Sequence, residues 1–209
     1  MKLALLSDTH MRHRSIAVPE VDVVVHAGDF SRRGTRDEAL AFLRWFSALP
    51  AGAKVLTAGN HEYWAEADPA GMRALARAHG VTYLEGEAAD VAGLRVWGSP
   101  ITPTFGRMAF NRPRGAPIRA HWEAIPAGLD LLVTHGPPRG AGDRTFFGMR
   151  VGCADLLDVV RERRPAVHVF GHIHEGAGEA RVAGVGTRFL NVASSRLLGG
   201  TRPPVVIDL

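Results

Sequence analysis

The chain has 209 residues, of which 46% are hydrophobic and 22% are charged, a composition typical of a globular protein with a buried core. No apolar run approaches the ~20 residues that a membrane-spanning helix needs. Asp8 and His10 interrupt the apolar start too early for a signal peptide. Cys153 is the single cysteine, which excludes an internal disulfide and favours a cytoplasmic protein without membrane contact.

The net charge is +4, and lysine occurs only at Lys2 and Lys54, so arginine carries most of the basic charge. Such a charge attracts phosphorylated ligands or nucleic acid, but it also arises from a compositional bias toward arginine. The basic residues are scattered and form no long block, which favours the compositional interpretation. Nucleic acid therefore remains a possible partner that the sequence does not favour.

Short runs of β-branched and aliphatic residues alternate with helical patterns. Buried strands are predicted at Lys2–Leu6, Val21–His26, Lys54–Thr57, Leu129–Thr134 and Ala166–Phe170. Helices are predicted at Arg36–Ala48, with Thr35 as N-cap, at Pro69–Ala78 and at Cys153–Arg163.

The second half of the chain is richer in strands. Short antiparallel pairs are predicted from Ala89–Val91, Leu94–Trp97, Glu179–Val182, Thr187–Val192 and Pro204–Asp208. The long segment from Ser99 to Ile125 is predicted to be a functional loop, anchored over the domain by Phe105, Phe110 and Trp122. The mixture predicts an α/β fold with two packed mixed β-sheets flanked by helices, and we expect residues 1–209 to form a single domain.

Five polar motifs stand at or just after predicted strands. They are Asp8-Thr9-His10, Gly28-Asp29, Gly59-Asn60-His61-Glu62, Thr134-His135-Gly136 and Gly171-His172-Ile173-His174. Ligands of open α/β sheets bind at the carboxyl ends of strands, so we expect the five motifs to meet at one edge. Each motif alone has an ordinary structural explanation, such as a helix cap or a turn. Their joint occurrence at strand ends favours a metal site.

Carboxylates and neutral imidazoles are typical ligands of Mn, Fe, Co, Ni and Zn. Apart from His61, the motifs offer seven candidate ligands, namely Asp8, His10, Asp29, Asn60, His135, His172 and His174. That number exceeds the needs of one four-coordinate ion and fits two ions that share a carboxylate, about 3.5–4 Å apart. Two such ions are suited to activating a water molecule for hydrolysis.

The ordered motifs resemble the calcineurin-like metallophosphoesterase superfamily, whose signature is Asp-x-His, Gly-Asp, Gly-Asn-His-Asp/Glu, His and Gly-His-x-His. The chain is similar to one branch in particular, the metallophosphoesterase domain-containing proteins of animals and their bacterial relatives. The segments that carry this closer resemblance are residues 58–62, 134–138, 151–153, 168–176 and 203–209.

The resemblance implies a four-layer αββα fold and a role for each motif residue. Asp8, His10, Asp29 and His174 would hold a first ion. Asp29, Asn60, His135 and His172 would hold a second, with Asp29 bridging. His61 would donate a proton or hydrogen bond to the leaving oxygen as a catalytic residue. Some animal relatives carry glycine at the position of His172, so the histidine here implies a competent enzyme.

The resemblance also implies a phosphodiesterase that acts on a small phosphate ester, with cyclic 2′,3′- or 3′,5′-nucleotides as the expected substrates and manganese as the first expectation for the metal. A phosphomonoesterase, a nuclease and a nucleotide-binding scaffold with little turnover remain alternatives. None of the five motifs contains Arg or Lys, which favours diesters over monoester dianions. Arg107, Arg114 and Arg139 lie in loops that could reverse this preference.

The remaining polar residues of interest receive structural interpretations. His13, His79 and His121 are predicted to lie at the surface. His26 and His168 are predicted on core strands, where they either orient ligands or pack with a satisfied ring. Glu62 is predicted to steer His61, and Cys153 is predicted to be a small core residue.

Overall fold

The computed structural model describes residues 1–209, which form thirteen strands and five α-helices. The strands are β1 (Lys2–Leu6), β2 (Val21–Ala27), β3 (Ala51–Thr57), β4 (Thr82–Tyr83), β5 (Glu87–Val91), β6 (Leu94–Ser99), β7 (Thr102–Pro103), β8 (Asn111–Arg112), β9 (Leu131–Thr134), β10 (Val167–Phe170), β11 (Gly178–Ala180), β12 (Arg188–Asn191) and β13 (Val205–Asp208). The helices are α1 (Arg36–Ser47), α2 (Tyr63–Ala67), α3 (Pro69–Ala78), α4 (Ala116–Trp122) and α5 (Ala154–Arg163).

Two large mixed sheets form the centre of the molecule. The first has the order β13-β1-β2-β3-β4, with only β13 antiparallel to its neighbour. The second has the order β11-β12-β10-β9-β6-β5, with antiparallel strands at both edges. The predicted antiparallel pairs are confirmed, and β12 also pairs in parallel with β10.

The central strands are buried on both faces, which explains their continuous apolar sequences. Along β1, Leu3 and Leu5 belong to a cluster of aliphatic residues contributed by both sheets. Ala4 and Leu6 point to the opposite face and join the cluster that contains the helices. The sheets therefore pack on each other through one apolar layer, with helices outside.

Aromatic side chains attach the helices to the outer faces of the sheets. On α1, the ring of Phe42 lies 4.9 Å from the ring of His26 on β2. On α4, the ring of Trp122 lies 6.3 Å from that of Trp97 on β6. These contacts confirm the predicted arrangement of two mixed sheets flanked by helices.

The helix boundaries follow their sequence signals closely. The hydroxyl of Thr35 accepts a hydrogen bond from the backbone N–H of Glu38 at 3.3 Å, which confirms the predicted N-cap of α1. Helix α3 has the predicted bounds, while α5 begins one residue later than predicted, with Cys153 as its N-cap. Arg164 ends α5 in the left-handed conformation, at φ 52°.

The segment from Ser99 to Ile125 contains β7, β8 and α4. Phe110 and Trp122 are buried and anchor it as predicted, but Phe105 is 41% exposed, so its predicted anchoring role is wrong. The ring of Phe105 instead lies 4.9 Å from that of His172, beside the candidate ligands. No helix combines the length and hydrophobicity of a membrane-spanning segment.

Candidate metal centre

The candidate ligands gather where the two sheets meet. A parallel bridge joins Ser7, after β1, to Ala193, after β12, and the N–H of Ser194 donates to the carbonyl of Ser7 at 2.8 Å. Five strands end at this seam, and each is followed by candidate ligands, in chain order Asp8 and His10, Asp29, Asn60, His135, and His172 and His174. The predicted convergence at one edge therefore holds across both sheets.

Asp8, His10 and His174 form what we call the outer cluster. The Nε2 atom of His174 lies 3.3 Å from Oδ1 of Asp8 and 3.4 Å from Nε2 of His10. Nε2 of His10 lies 3.9 Å from Oδ2 of Asp29. The side chains of His10 and His174 are 17% and 22% exposed, whereas that of Asp8 is fully buried.

Asp29, Asn60, His135 and His172 form the inner cluster. The Nε2 atom of His135 lies 2.9 Å from Oδ1 of Asn60 and 3.4 Å from Oδ1 of Asp29. One ligand atom each of Asp29, His135 and His172 lies within 4.8 Å of the others. Asp29, Asn60 and His135 are buried and only His172 is partly exposed, so this cluster is less open to solvent than the outer one. Asp29 lies between the two clusters.

Backbone carbonyls fix the protonation of two imidazole rings. Nδ1 of His135 lies 2.9 Å from the carbonyl of Ala27, and Nδ1 of His10 lies 3.2 Å from that of Ser31. Since a carbonyl only accepts, Nδ1 carries the proton in the neutral ring and Nε2 presents a lone pair. In the neutral ring, Nε2 of His135 would face the Asn60 oxygen at 2.9 Å as acceptor against acceptor, a contact that positive charge on Nε2, from a proton or a metal ion, relieves. The donor set therefore fits divalent metal ions.

The electrostatics of the centre also favour positive charge. Burial opposes protonation of His135, but the neighbouring carboxylate of Asp29 outweighs it and raises the pKa of the ring to about 9. Burial would raise the pKa of Asp8, yet the hydrogen bond and charge of His174 and the charge of His135 lower it far below its usual range. Both effects describe ionised carboxylates that attract a cation.

Several candidate ligands have an unusual backbone conformation. Asp8, His10, Asp29 and His172 lie in the left-handed region, at φ 52°, 41°, 55° and 66°, where residues other than glycine are uncommon. Such conformations cost on the order of 1 kcal/mol each and occur often at functional sites. Hydrogen bonds hold them here: the N–H of His172 donates to both carboxylate oxygens of Asp8, at 3.1 and 2.9 Å.

Two glycines of the motifs are required by close approach. A Cβ atom at Gly59 would collide with the carboxylate of Asp29, and one at Gly171 would collide with the carboxylate of Asp8 and the hydroxyl of Ser7. Glycine at these two positions therefore lets neighbouring strand ends approach one another.

His61 borders both clusters and is partly exposed to solvent. Its Nε2 atom lies 3.9 Å from Oδ2 of Asp29, and its Nδ1 atom lies 3.2 Å from the carbonyl of Arg32. Its ring centroid lies 4.8 Å from that of His10. Since the carbonyl accepts from Nδ1–H, the ring presents Nε2 toward the centre.

Glu62 does not steer His61, so that prediction is wrong. Its buried carboxylate accepts hydrogen bonds from the backbone N–H groups of Asp29, Ser31 and Gly59, at 2.9, 2.9 and 2.6 Å. The turn after Asn60 points the side chain back under the loop that carries Asp29. Burial and the charge of Asp29 raise the pKa of Glu62 to about 7, against the hydrogen bonds from Ser31. Glu62 therefore shapes the loop of Asp29.

The sequence profile of the calcineurin-like phosphoesterases matches residues 1–176 of the chain. The chain belongs to the calcineurin-like phosphoesterase family. As a member, it is a metal-dependent hydrolase of phosphate esters. It is 36% identical over 232 aligned positions to metallophosphoesterase domain-containing protein 1 of Homo sapiens, an alignment that covers all of this chain and 71% of that protein.

Solved structures show that the fold of this phosphoesterase is shared. The phosphopantetheinyl hydrolase of Mycobacterium tuberculosis superposes with a TM-score of 0.65 at 18% identity, covering 92% of this chain and 88% of that one. An archaeal phosphodiesterase superposes with a TM-score of 0.50 at 16% identity, covering 91% and 82%. At these identities the likeness concerns the fold.

Two cavities open beside the centre of this phosphoesterase. One, of about 350 Å³, is lined by His10, His61 and His174 together with Arg12, Arg32, Ser195, Arg196 and Leu197; we call it the arginine pocket. The other, of about 400 Å³, is lined by His172 and by Phe105, Arg114 and Glu175 among others; we call it the Phe105 pocket. A larger cavity of about 660 Å³ lies along residues 179–188 and contains no candidate ligand.

The arginines of the arginine pocket, Arg12, Arg32 and Arg196, were not predicted to lie at the site. Arg12 and Arg32 follow the first two motifs within three residues, so their position in the sequence could have indicated that they lie near the site. Arg196 follows none of the motifs, and nothing in the sequence around it indicates such a position. Of the arginines named as possible phosphate contacts, Arg114 lines the Phe105 pocket, but its guanidinium donates to the carbonyls of Gly152 and Val151. Arg107 and Arg139 line neither cavity.

The histidines outside the motifs are structural. His13 is buried and lies 4.9 Å from the ring of Trp45, so its predicted surface position is wrong, because α1 covers it. His79 and His121 are partly buried. His26 and His168 pack on core strands, with Nε2 3.1 Å from the hydroxyl of Thr9 and 2.8 Å from that of Thr134.

Proposed function

We propose that residues 1–209 form one catalytic domain that hydrolyses phosphodiesters with two divalent cations. Manganese is the proposed metal, small cyclic nucleotides of the 2′,3′ or 3′,5′ type are the proposed substrates, and the cytoplasm is the proposed compartment. One observation carries the proposal: two clusters of metal-ligand side chains from both sheets meet at a shared carboxylate, Asp29.

The proposed ligand sets follow the two clusters. Asp8, His10, Asp29 and His174 hold the first ion, and Asp29, Asn60, His135 and His172 hold the second. When bound, the pair of cations lowers the pKa of a water molecule and neutralises the charge that grows on phosphate oxygens. The carbonyl of Ala27 accepts a hydrogen bond from Nδ1–H of His135, and the carbonyl of Ser31 accepts one from Nδ1–H of His10. These hydrogen bonds keep both rings oriented with Nε2 toward the centre.

His61 is the proposed general acid. Its Nδ1–H is held by the Arg32 carbonyl at 3.2 Å, which orients Nε2 toward the centre. Nε2 then carries the proton that the leaving oxygen needs. Hydrolysis adds the oxygen of water to phosphorus and breaks the bond from phosphorus to the leaving oxygen. The leaving oxygen takes the Nε2 proton, and the proton lost by water replaces it through solvent.

The decisive experiment compares matched aryl esters on protein loaded with excess Mn. Bis(p-nitrophenyl) phosphate and p-nitrophenyl phosphate share a leaving group and differ in charge, so the ratio of their kcat/KM values reports the substrate class. We expect a clear diester preference and about two Mn ions per chain by metal analysis. Both cyclic forms of AMP complete the panel. A monoester preference refutes the diester assignment, and no turnover with Mn, Ni, Co or Zn favours a nucleotide-binding scaffold.

A further inference from the structure

The arginine pocket combines three cations with no neutralising group. None of its lining residues is acidic. Arginine forms its ion pairs at other positions, namely Arg73, Arg119, Arg150, Arg161 and Arg188. The guanidinium groups of Arg12, Arg32 and Arg196 therefore have no carboxylate partner. Planar guanidinium groups with free N–H donors are suited to phosphate, which they bind in bidentate fashion.

The backbone that carries these arginines is held by the hydrogen bonds that shape the metal centre. Arg32 follows Ser31, whose N–H and hydroxyl both donate to buried Glu62. Arg196 follows Ser195, whose hydroxyl donates to the carbonyl of Asp8 at 2.7 Å. The N–H of Arg12 donates to the carbonyl of Thr9 at 2.7 Å. The three Cα positions are thus fixed relative to the candidate ligands.

The position of His61 tells which part of a substrate enters this pocket. His61 lines the pocket, and a general acid must contact the leaving oxygen. We propose that the arginine pocket binds a second phosphate group, carried on the leaving-group side of the substrate. This inference rests on the proposed phosphodiesterase activity and narrows its substrate class to diesters with an additional phosphate.

The Phe105 pocket has the opposite character. The guanidinium of Arg114, which lines it, donates to two backbone carbonyls, and Glu175 adds negative charge. A second phosphate would meet a carboxylate there and no free cation. The extra anionic group therefore belongs on the side of His61, and the Phe105 pocket suits the uncharged part of the substrate.

A matched pair of substrates tests the inference. Adenosine 2′,3′-cyclic phosphate and its 5′-phosphorylated form differ by one phosphate, which lies on the ribose that supplies the leaving oxygen. Charge-assisted hydrogen bonds of about 1.5–3 kcal/mol predict that the 5′-phosphate lowers KM about ten- to a hundredfold while kcat changes little. Arg12→Gln, Arg32→Gln and Arg196→Gln should each reduce this advantage. Arg14→Gln and Arg33→Gln alter exposed neighbours outside the pocket and should preserve it.

A binding measurement separates this inference from the proposed activity. Calorimetry compares adenosine 3′-monophosphate with adenosine 3′,5′-bisphosphate on the Mn-loaded protein and its variants, and metal analysis confirms equal Mn content. The bisphosphate should bind at least about tenfold tighter, and the pocket variants should lose that difference. Tighter bisphosphate binding without turnover supports the pocket while refuting the proposed function. Turnover with equal affinities, or equal losses in the Arg14 and Arg33 controls, overturns the pocket.

Discussion

The outer and inner clusters use similar side chains but differ in the solvent that reaches them. His10 and His174 of the outer cluster are 17% and 22% exposed, whereas the inner cluster has three buried ligands and one partly exposed ligand, His172. Water can replace a lost ligand where the centre is open, but a buried centre depends on protein donors. We therefore expect the inner ion to be held more tightly and to exchange more slowly than the outer one.

The largest effect should come from the residue that the clusters share. Asp29→Asn removes the charge between them and should abolish binding of both ions, because each set then lacks its bridging carboxylate. Turnover of bis(p-nitrophenyl) phosphate should fall by about 10⁴-fold or more, which is about 5 kcal/mol of activation free energy. Metal analysis that still finds two tightly bound Mn ions would contradict the bridging role.

Replacing His61 by Ala should leave both clusters intact and still slow the reaction. The expected loss is about 10²–10⁴-fold, typical of a general acid, with nearly unchanged Mn content. The loss should shrink for good leaving groups, which need little protonation. A series of aryl diesters graded by leaving-group pKa measures this, and equal losses across the series would leave His61 only a positioning role.

Exchanging one histidine in each cluster probes their difference directly. His172→Gly removes a ligand of the inner cluster, and His174→Gly removes one from the outer cluster. We expect His172→Gly to slow diester cleavage and to weaken binding of one Mn ion by at least about 10- to 100-fold, the loss typical of replacing a residue that only orients a ligand. His174→Gly should have a smaller effect on affinity, because the outer cluster has two partly exposed histidines that water can replace, whereas only His172 is partly exposed in the inner cluster. Competition with a metal chelator measures both variants, and equal affinities would remove the asymmetry.

The smallest effect, taken per pH unit, concerns stability beneath the inner cluster. Burial lowers the pKa of His168 to about 3 from its ordinary 6.5, so the folded protein keeps the ring neutral where the unfolded chain takes up a proton. The free energy of unfolding should therefore decrease as pH falls from 6.5 toward 3, by at most about 1.4 kcal/mol per pH unit. In His168→Leu that contribution should vanish. Thr134 keeps a partner there, since its hydroxyl donates to the carbonyl of Gly136 at 2.7 Å.

Urea unfolding of metal-free protein at several pH values measures the slope. Working without metal keeps proton competition at the ligand histidines out of the comparison. His79→Leu, at a partly exposed position on the end of α3, is the matched control. An unchanged slope in His168→Leu would show that other groups govern the acid sensitivity of this region.

The strands and the ligand motifs were predictable because their signals are local. Leu3 to Leu6 are buried on both faces of β1, and the motifs directly follow strand ends. Contacts between distant parts of the chain were not predictable. The side chain of Glu62 lies under the loop of Asp29, and no sequence pattern indicates this position. Arg196 lies in the pocket because the chain passes beside Asp8 near its C-terminal end. His13 is buried only because Trp45 and Phe42 of α1 pack on it.

The bridge between Ser7 and Ala193 marks the seam where the two sheets meet. Candidate ligands lie on both sides of that seam: Asp8, Asp29 and Asn60 follow strands of the first sheet, and His135 and His172 follow strands of the second. Metal ions bound by ligands from both sheets would hold the two sheets together at this seam. Metal concentration would then affect stability: at a hundred times the dissociation constant, one such ion adds about 2.7 kcal/mol to the free energy of unfolding.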